Sequence, residues 1–143
     1  MKQYRFLTLG AAILVAVLVF LFSVATGRQQ ADTARLLTFQ TAYPELAELP
    51  DFAYITVTED SFLLCTPDTT STVAQLPPAI AAMLHDRDLL NLRKTGDDVF
   101  FITSGAADDE WGYVITQDDA VSMDSLWHLD RVDSNIFYFS TMK

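Results

Sequence analysis

The sequence predicts an α+β domain with a mainly antiparallel sheet and one or two packed helices, preceded by a single transmembrane helix. Three observations lead to this prediction: an uncharged apolar run near the N-terminus, several short segments with strand composition after it, and short turns between those segments. Short connections make neighbouring strands antiparallel. The 143 residues suffice for one domain and its anchor. We divide them into a tail (1–5), a transmembrane helix (6–26), a stalk helix (27–50) and an acidic domain (51–143).

The apolar run comprises residues 6–25, twenty residues without a charge. As a helix it would extend about 30 Å, which matches the hydrocarbon thickness of a bilayer. Lys2 and Arg5 precede it and favour an N-terminus inside the cell, with the acidic domain outside the cytoplasm and the chain in the cell membrane. Two alternatives remain open. A signal peptide cleaved near Ser23-Val24-Ala25 would release a secreted domain, and the run could also be a buried helix.

The stalk helix is predicted from Leu36, Phe39 and Tyr43, which fall at helical spacing. The residue before a proline disfavours helical backbone angles, so the helix is expected to end before Pro44. Residues 45–49 could add one short turn.

Two strands and a helix are predicted next. Residues 52–58 and 61–66 are rich in β-branched and aromatic side chains, and the acidic pair between them indicates a hairpin turn. Residues 67–75 are polar and are predicted to form a loop. Pro77-Pro78 suits a helix start, because the first helical positions need not donate an amide hydrogen. The apolar stripe of this helix consists of Ile80, Met83 and Leu84.

Four or five more strands are predicted in the rest of the chain. Leu90 and Leu92 alternate with Asn91 and Arg93, and residues 95–98 (Thr-Gly-Asp-Asp) favour a tight hairpin turn. Turn residues separate the remaining strands, which are predicted at residues 99–104, 111–116, 126–132 and 135–140.

Asp108, Asp109 and Glu110 form an acidic cluster between two apolar segments. The favoured interpretation is an exposed turn between strands. A weak calcium loop and a loop that contacts a partner are the alternatives. The spacing of an EF-hand, with glycine at the sixth position and glutamate at the twelfth, is not present. Gly112 is predicted to relieve a bulge or to let an aromatic ring lie on the backbone.

Aromatic residues are concentrated in the last third of the chain. Phe137 and Phe139 share one side of their strand. The favoured interpretation is that both faces of the sheet are partly covered, one by the helix and one by the stalk or a loop. The alternative is that Trp111, Tyr113 and Tyr138 form a protein-docking surface on the other side, because exposed aromatic patches mark interfaces.

No catalytic residue, metal site or cofactor is predicted. His85 and His128 lie outside any zinc-binding spacing, and Cys65 is expected to be a small core residue. The sequence has no nucleophile elbow, no phosphate-binding glycine loop and no dinucleotide motif.

The charge of the chain limits its partners. Residues 32–143 carry six basic and nineteen acidic side chains, which disfavours nucleic acid, since phosphate binding needs lysine and arginine. We expect a membrane-anchored, non-enzymatic accessory domain that binds a protein, with a basic protein or peptide as the partner. The alternatives are an immunity-type inhibitor of a basic toxin and an enzyme without a recognisable motif.

Overall fold

The structure, a computed structural model, confirms the α+β fold class, with two helices and an eight-stranded antiparallel sheet in the part of the chain that it describes. It describes residues 2–59, 61–73, 75–106, 109–117, 121 and 128–141, and for residues 2–12, 24–31, 73 and 106 it describes the backbone alone. The chain divides into two compact units, Met1–Leu37 and Thr38–Lys143.

The elements follow one another in the order α1 (Lys2–Ala47), β1 (Tyr54–Val57), β2 (Phe62–Cys65), β3 (Thr70–Val73), α2 (Pro78–His85), β4 (Asn91–Thr95), β5 (Asp98–Ala106), β6 (Asp109–Ile115), β7 (His128–Asp133) and β8 (Ile136–Ser140). In the sheet the strands lie in the order β3-β2-β1-β4-β5-β6-β8-β7. Each neighbouring pair is antiparallel, as predicted.

Helix α1 includes the predicted transmembrane segment, residues 6–26, in helical form. Within the residues that the structure describes, no helix combines the length and the apolar character that crossing a membrane requires. The transmembrane span is therefore not supported by these residues and stays a prediction.

The prediction that the stalk helix ends before Pro44 was wrong, because α1 continues to Ala47. A proline inside a helix removes one backbone hydrogen bond and crowds the carbonyl group four residues earlier. Tyr43 and Leu46, on either side of the proline, are only 8% and 1% exposed. Burial of these side chains stabilises the last turns of the helix and offsets the cost of the proline.

The C-terminal part of α1 packs on one face of the sheet. The ring of Phe39 stacks on the ring of Phe101, with 4.2 Å between their centroids. Leu92 and Tyr113 are the register partners of Phe101 on the neighbouring strands. Because side chains alternate along a strand, these residues share a face, which we call the helix face.

The opposite face carries an apolar cluster. The rings of Phe100 and Phe139 meet edge to face, with 5.2 Å between their centroids, and Val121 packs against the cluster from a loop. Both faces are thus partly covered, one by the stalk helix and one by a loop residue. The cluster consists of Phe100, Ile102, Val114, Phe137 and Phe139.

Strand β3 lies within residues 67–75, so the prediction of a loop there was wrong. Its residues Thr70 to Val73 pair with β2 in register, and the turn between the two strands is closed by the amide of Thr66 donating to the carbonyl of Thr69 at 2.8 Å. Threonine and valine favour extended backbone. This polar segment becomes a strand because the backbone of β2 supplies its hydrogen-bonding partners.

The β4–β5 turn was predicted correctly and is tied to the end of α1. Gly96 has a φ of +58°, which glycine adopts without steric cost. A carboxylate oxygen of Asp51 accepts a hydrogen bond from the amide of Gly96 at 2.6 Å, and the hydroxyl of Tyr43 donates to the carbonyl of Asp97 at 2.8 Å.

Strand β4 departs from the predicted alternation of apolar and polar positions. Leu90 is 39% exposed, whereas Asn91 and Lys94 are only 9% exposed. β4 lies between two other strands, and both faces of the sheet are covered there. Polar side chains of β4 are therefore buried, whereas in a sheet with one solvated face they would lie in water.

Candidate partner-contact surface

The structure brings some of the predicted contact residues together: Tyr113 and Tyr138 are register partners, and Trp111 lies two positions from Tyr113 on the same face of the sheet. It places Glu110 on the opposite face. Asp108 lies outside the described residues, while Asp109 and Glu110 belong to strand β6 rather than to a turn. Trp111 and Tyr113 lie in the same strand, as predicted. Placing Asp109 and Glu110 in an exposed turn was therefore wrong. Pairing with the end of β5 extends the strand through them, with Gly105 opposite Glu110 and Ala106 opposite Asp109.

Glu110 is held by partners inside the sheet. Its carboxylate lies 3.2 Å from a guanidinium nitrogen of Arg93, and each side chain is only about a quarter exposed, 24% and 26%. The amide of Glu110 donates to the hydroxyl of Thr141 at 2.7 Å, and the amide of Thr141 donates back to the Glu110 carbonyl at 2.9 Å. Glu110 therefore stabilises the pairing of strands and is not a freely solvated acid.

The guanidinium of Arg93 also lies over the ring of Phe100, 5.3 Å from its centroid. This contact places the ion pair on the opposite face, beside the apolar cluster. Tyr54 lies next to Arg93 in register and has a raised pKa, because burial disfavours the phenolate and the charge of Glu110 disfavours it further. Tyr54, Arg93 and Glu110 thus form one half-buried polar cluster.

Cys65 and Asn91 border this polar cluster. Cys65 is the register partner of Tyr54 and is half-buried, so the expectation of a core position was wrong. Its strand lies near the edge of the sheet, where cover is incomplete. The side-chain oxygen of Asn91 is buried and has no hydrogen-bond partner among the described residues. The sequence shows no signal for this cluster, because its members come from three strands, β1, β4 and β6.

Tyr113 and Tyr138 lie on the helix face, where their rings meet edge to face at 5.8 Å between centroids. The ring of Phe39 lies 6.0 Å from that of Tyr113, so α1 already contacts this surface. Trp111 is half-buried on the same strand as Tyr113, two residues away. These aromatics retain partial exposure, and their contact with a partner protein stays a prediction.

The histidines lie apart from each other. His128 is exposed at the β7 edge, where its Nε2 lies 2.7 Å from the carboxylate of Asp130 and its ring meets that of Tyr138 at 6.5 Å. His85 ends α2. Among the described residues, no group of three or more histidine, cysteine or acidic side chains could hold a metal ion.

Replacing Glu110 by glutamine should lower the free energy of unfolding by about 1–2 kcal/mol, because the half-buried guanidinium of Arg93 would lose its counter-charge. Asp109→Asn is the matched control, and we expect it to change stability by less than about 0.5 kcal/mol. Urea unfolding of the full chain, followed by tryptophan fluorescence, measures both. Equal effects of the two substitutions would show that the ion pair contributes nothing specific.

Comparison of the chain with protein-family models, with curated protein sequences and with solved structures finds no match in any of the three.

Proposed function

We propose that residues 6–26 anchor the chain in the cell membrane, with the N-terminus inside and the acidic domain outside the cytoplasm. The described side chains of residues 13–22 support this proposal, because all ten are exposed and all are apolar. A helix that is apolar on every side is suited to lipid or to a protein core. The hydroxyl of Ser23 donates to the carbonyl of Val19 at 2.9 Å, so the helix itself satisfies this polar group, as lipid requires.

If the anchor is uncleaved, the chain should remain in the membrane fraction after washing with alkaline carbonate, and the mature protein should retain residues 1–5. Mass spectrometry of the intact chain from each fraction measures this. A soluble protein that begins at Thr26 or Gly27 would instead identify a cleaved signal peptide and a secreted domain.

We infer that the acidic domain binds a basic protein or peptide and has no catalytic role. The observation that carries this proposal is the imbalance of charge at its surface. Among the described residues of this domain, eight acidic side chains are exposed, and the exposed basic ones are Arg87 and Arg131. The exposed acids are Asp51, Glu59, Asp68, Asp86, Asp88, Asp97, Asp130 and Asp133.

Contacts within the domain occupy several of the few basic side chains. Arg93 pairs with Glu110, and Lys94 is only 9% exposed. Arg131 lies over the ring of Phe137, 4.8 Å from its centroid, and donates to the carbonyl of Ser134 at 2.8 Å. The negative field of the exposed carboxylates is thus left largely uncompensated, and such a field attracts basic partners and repels acidic ones.

The test is affinity capture with the full chain in detergent micelles, followed by binding kinetics with the captured protein. We expect a basic partner whose association slows at least about tenfold between dilute and 1 M salt, where screening shortens to about 3 Å, while dissociation changes less. The double substitution Asp86→Asn with Asp88→Asn should slow association, and Gln75→Asn is the uncharged control.

Association that does not depend on salt, or an acidic partner, would contradict the proposed binding. A captured basic toxin that the domain inactivates would narrow the function to that of an immunity-type inhibitor.

A further inference from the structure

An open groove of about 450 Å³ lies between the β1–β2 hairpin and helix α2. Val57 and Phe62 line it from the hairpin, and Ala81 and Ala82 line it from the helix. Its volume lies within the range of sites that accept small ligands or a few side chains.

The walls of the groove are held in place by buried side chains of α2 and by hydrogen bonds at the hairpin tip. Ile80 and Leu84 are at most 1% exposed and fix α2 to the rest of the domain, so the alanines of the same helix remain at the groove. At the hairpin tip, the hydroxyl of Thr58 accepts a hydrogen bond from the amide of Ser61 at 3.1 Å, and the amide of Thr58 donates to the Ser61 carbonyl at 2.8 Å. The groove is therefore formed before any partner binds.

The negative charge at the rim of the groove favours a ligand that carries a positive charge. Glu59 is exposed at the rim, and no lysine or arginine is among the described lining residues. Of the lining side chains that the structure describes, His85 is the one that can become cationic. Apolar walls beside the carboxylate of Glu59 complement a pair of side chains in which an apolar group lies next to a positively charged one.

We propose that this groove is where the domain receives its partner, by accepting a segment of the partner that places leucine-type side chains next to arginine or lysine. This inference rests on the proposed function, since it identifies the surface that a basic partner meets. The apolar side chain is buried between Phe62 and the alanines of α2, and the cation lies at Glu59. The aromatic surface of Trp111, Tyr113 and Tyr138 lies on other strands and is not needed for this contact.

The test uses two tripeptides of defined chemistry, acetyl-Leu-Arg-Leu-amide and its charge-reversed counterpart acetyl-Leu-Glu-Leu-amide. Each is titrated into the ¹⁵N-labelled full chain in detergent micelles. We expect the arginine peptide to shift the amide signals of residues 57–62 and 81–85, and the glutamate peptide to bind at least about threefold more weakly. Glu59→Gln should weaken binding of the arginine peptide roughly two- to fivefold, as expected for one exposed charge pair.

A pair of substitutions on one helix tests the site itself. Ala82→Trp fills the groove and should abolish the shifts, whereas Ala79→Trp, on an exposed position of α2 outside the groove, should leave them intact. Shifts spread over the acidic surface, equal binding of the two peptides, or loss of the groove signals through self-association of the chain would each overturn the proposal.

Binding experiments with the captured partner distinguish failure of the groove proposal from failure of the proposed function. If Ala82→Trp leaves salt-dependent association with that partner unchanged, the groove is not the contact site, and the binding function stands. If the arginine peptide binds in the groove and no basic partner is captured, the groove stands and the proposed function fails.

Discussion

Gly112→Ala should unfold the domain or come close to it. A Cβ atom at this position would overlap the carbonyl oxygen of Phe101 and lie 3.1 Å from the Cα of Ile102. Both obstacles are backbone atoms in a central strand whose side chains from Val99 to Ile102 are buried, so neither can move aside cheaply. We expect a loss on the order of 3 kcal/mol or more, a large part of the stability of an ordinary domain. Urea unfolding of the full chain in detergent micelles measures it.

Gly96→Ala is the matched control, because an added methyl group is disfavoured for different reasons at the two glycines. An added Cβ at Gly96 meets nothing within 4 Å, and the φ of +58° is the source of strain. That strain costs about 1 kcal/mol. If both substitutions cost the same, the close approach of β5 to β6 at Gly112 does not limit the packing of the sheet.

The correctly predicted elements are those with a local physical signal. Pro77-Pro78 precedes a helix that runs from Pro78 to His85 with Ile80 and Leu84 buried, because proline fits the first helical turn and the apolar spacing fits one helix face. Gly96 occupies the hairpin turn that its sequence predicts. Gly112 pairs with Ile102 directly beside the register shift between Ile102 and Ser104, so the predicted bulge was confirmed. What approaches Gly112 closely is the backbone of Phe101 and Ile102, and not the aromatic ring of the alternative prediction.

The wrong predictions concern properties that depend on distant neighbours. β3 forms because the edge of β2 provides unpaired backbone groups with which it can hydrogen-bond. Nothing in the polar sequence of residues 67–75 indicates that this edge is present. The helix passes Pro44 because Leu46 is buried by the domain. The side of the sheet to which Glu110 points depends on the strand register and on Arg93, seventeen positions earlier in the chain. No local pattern contains this pairing, so the polar cluster on the opposite face could not be predicted.

Phe39→Ala should destabilise the sheet domain by about 3–5 kcal/mol, the usual cost of deleting a buried aromatic side chain. Phe39 is fully buried, stacks on Phe101 and lies near Tyr113, although it was assigned to a stalk outside the folded domain. The compact unit begins at Thr38, one residue before it. The end of α1 is therefore expected to be part of the hydrophobic core and to unfold together with the strands.

Leu37→Ala provides the control for that substitution, because Leu37 is apolar, lies on the same helix and is 62% exposed. We expect it to change the urea midpoint by less than the equivalent of about 0.5 kcal/mol. A double-mutant cycle with Phe101→Ala should give a coupling of about 0.5–1.5 kcal/mol for the stacked pair beyond the area that it buries. If Phe39→Ala costs no more than Leu37→Ala, α1 is only a stalk, and the sheet must keep its fold without the helix.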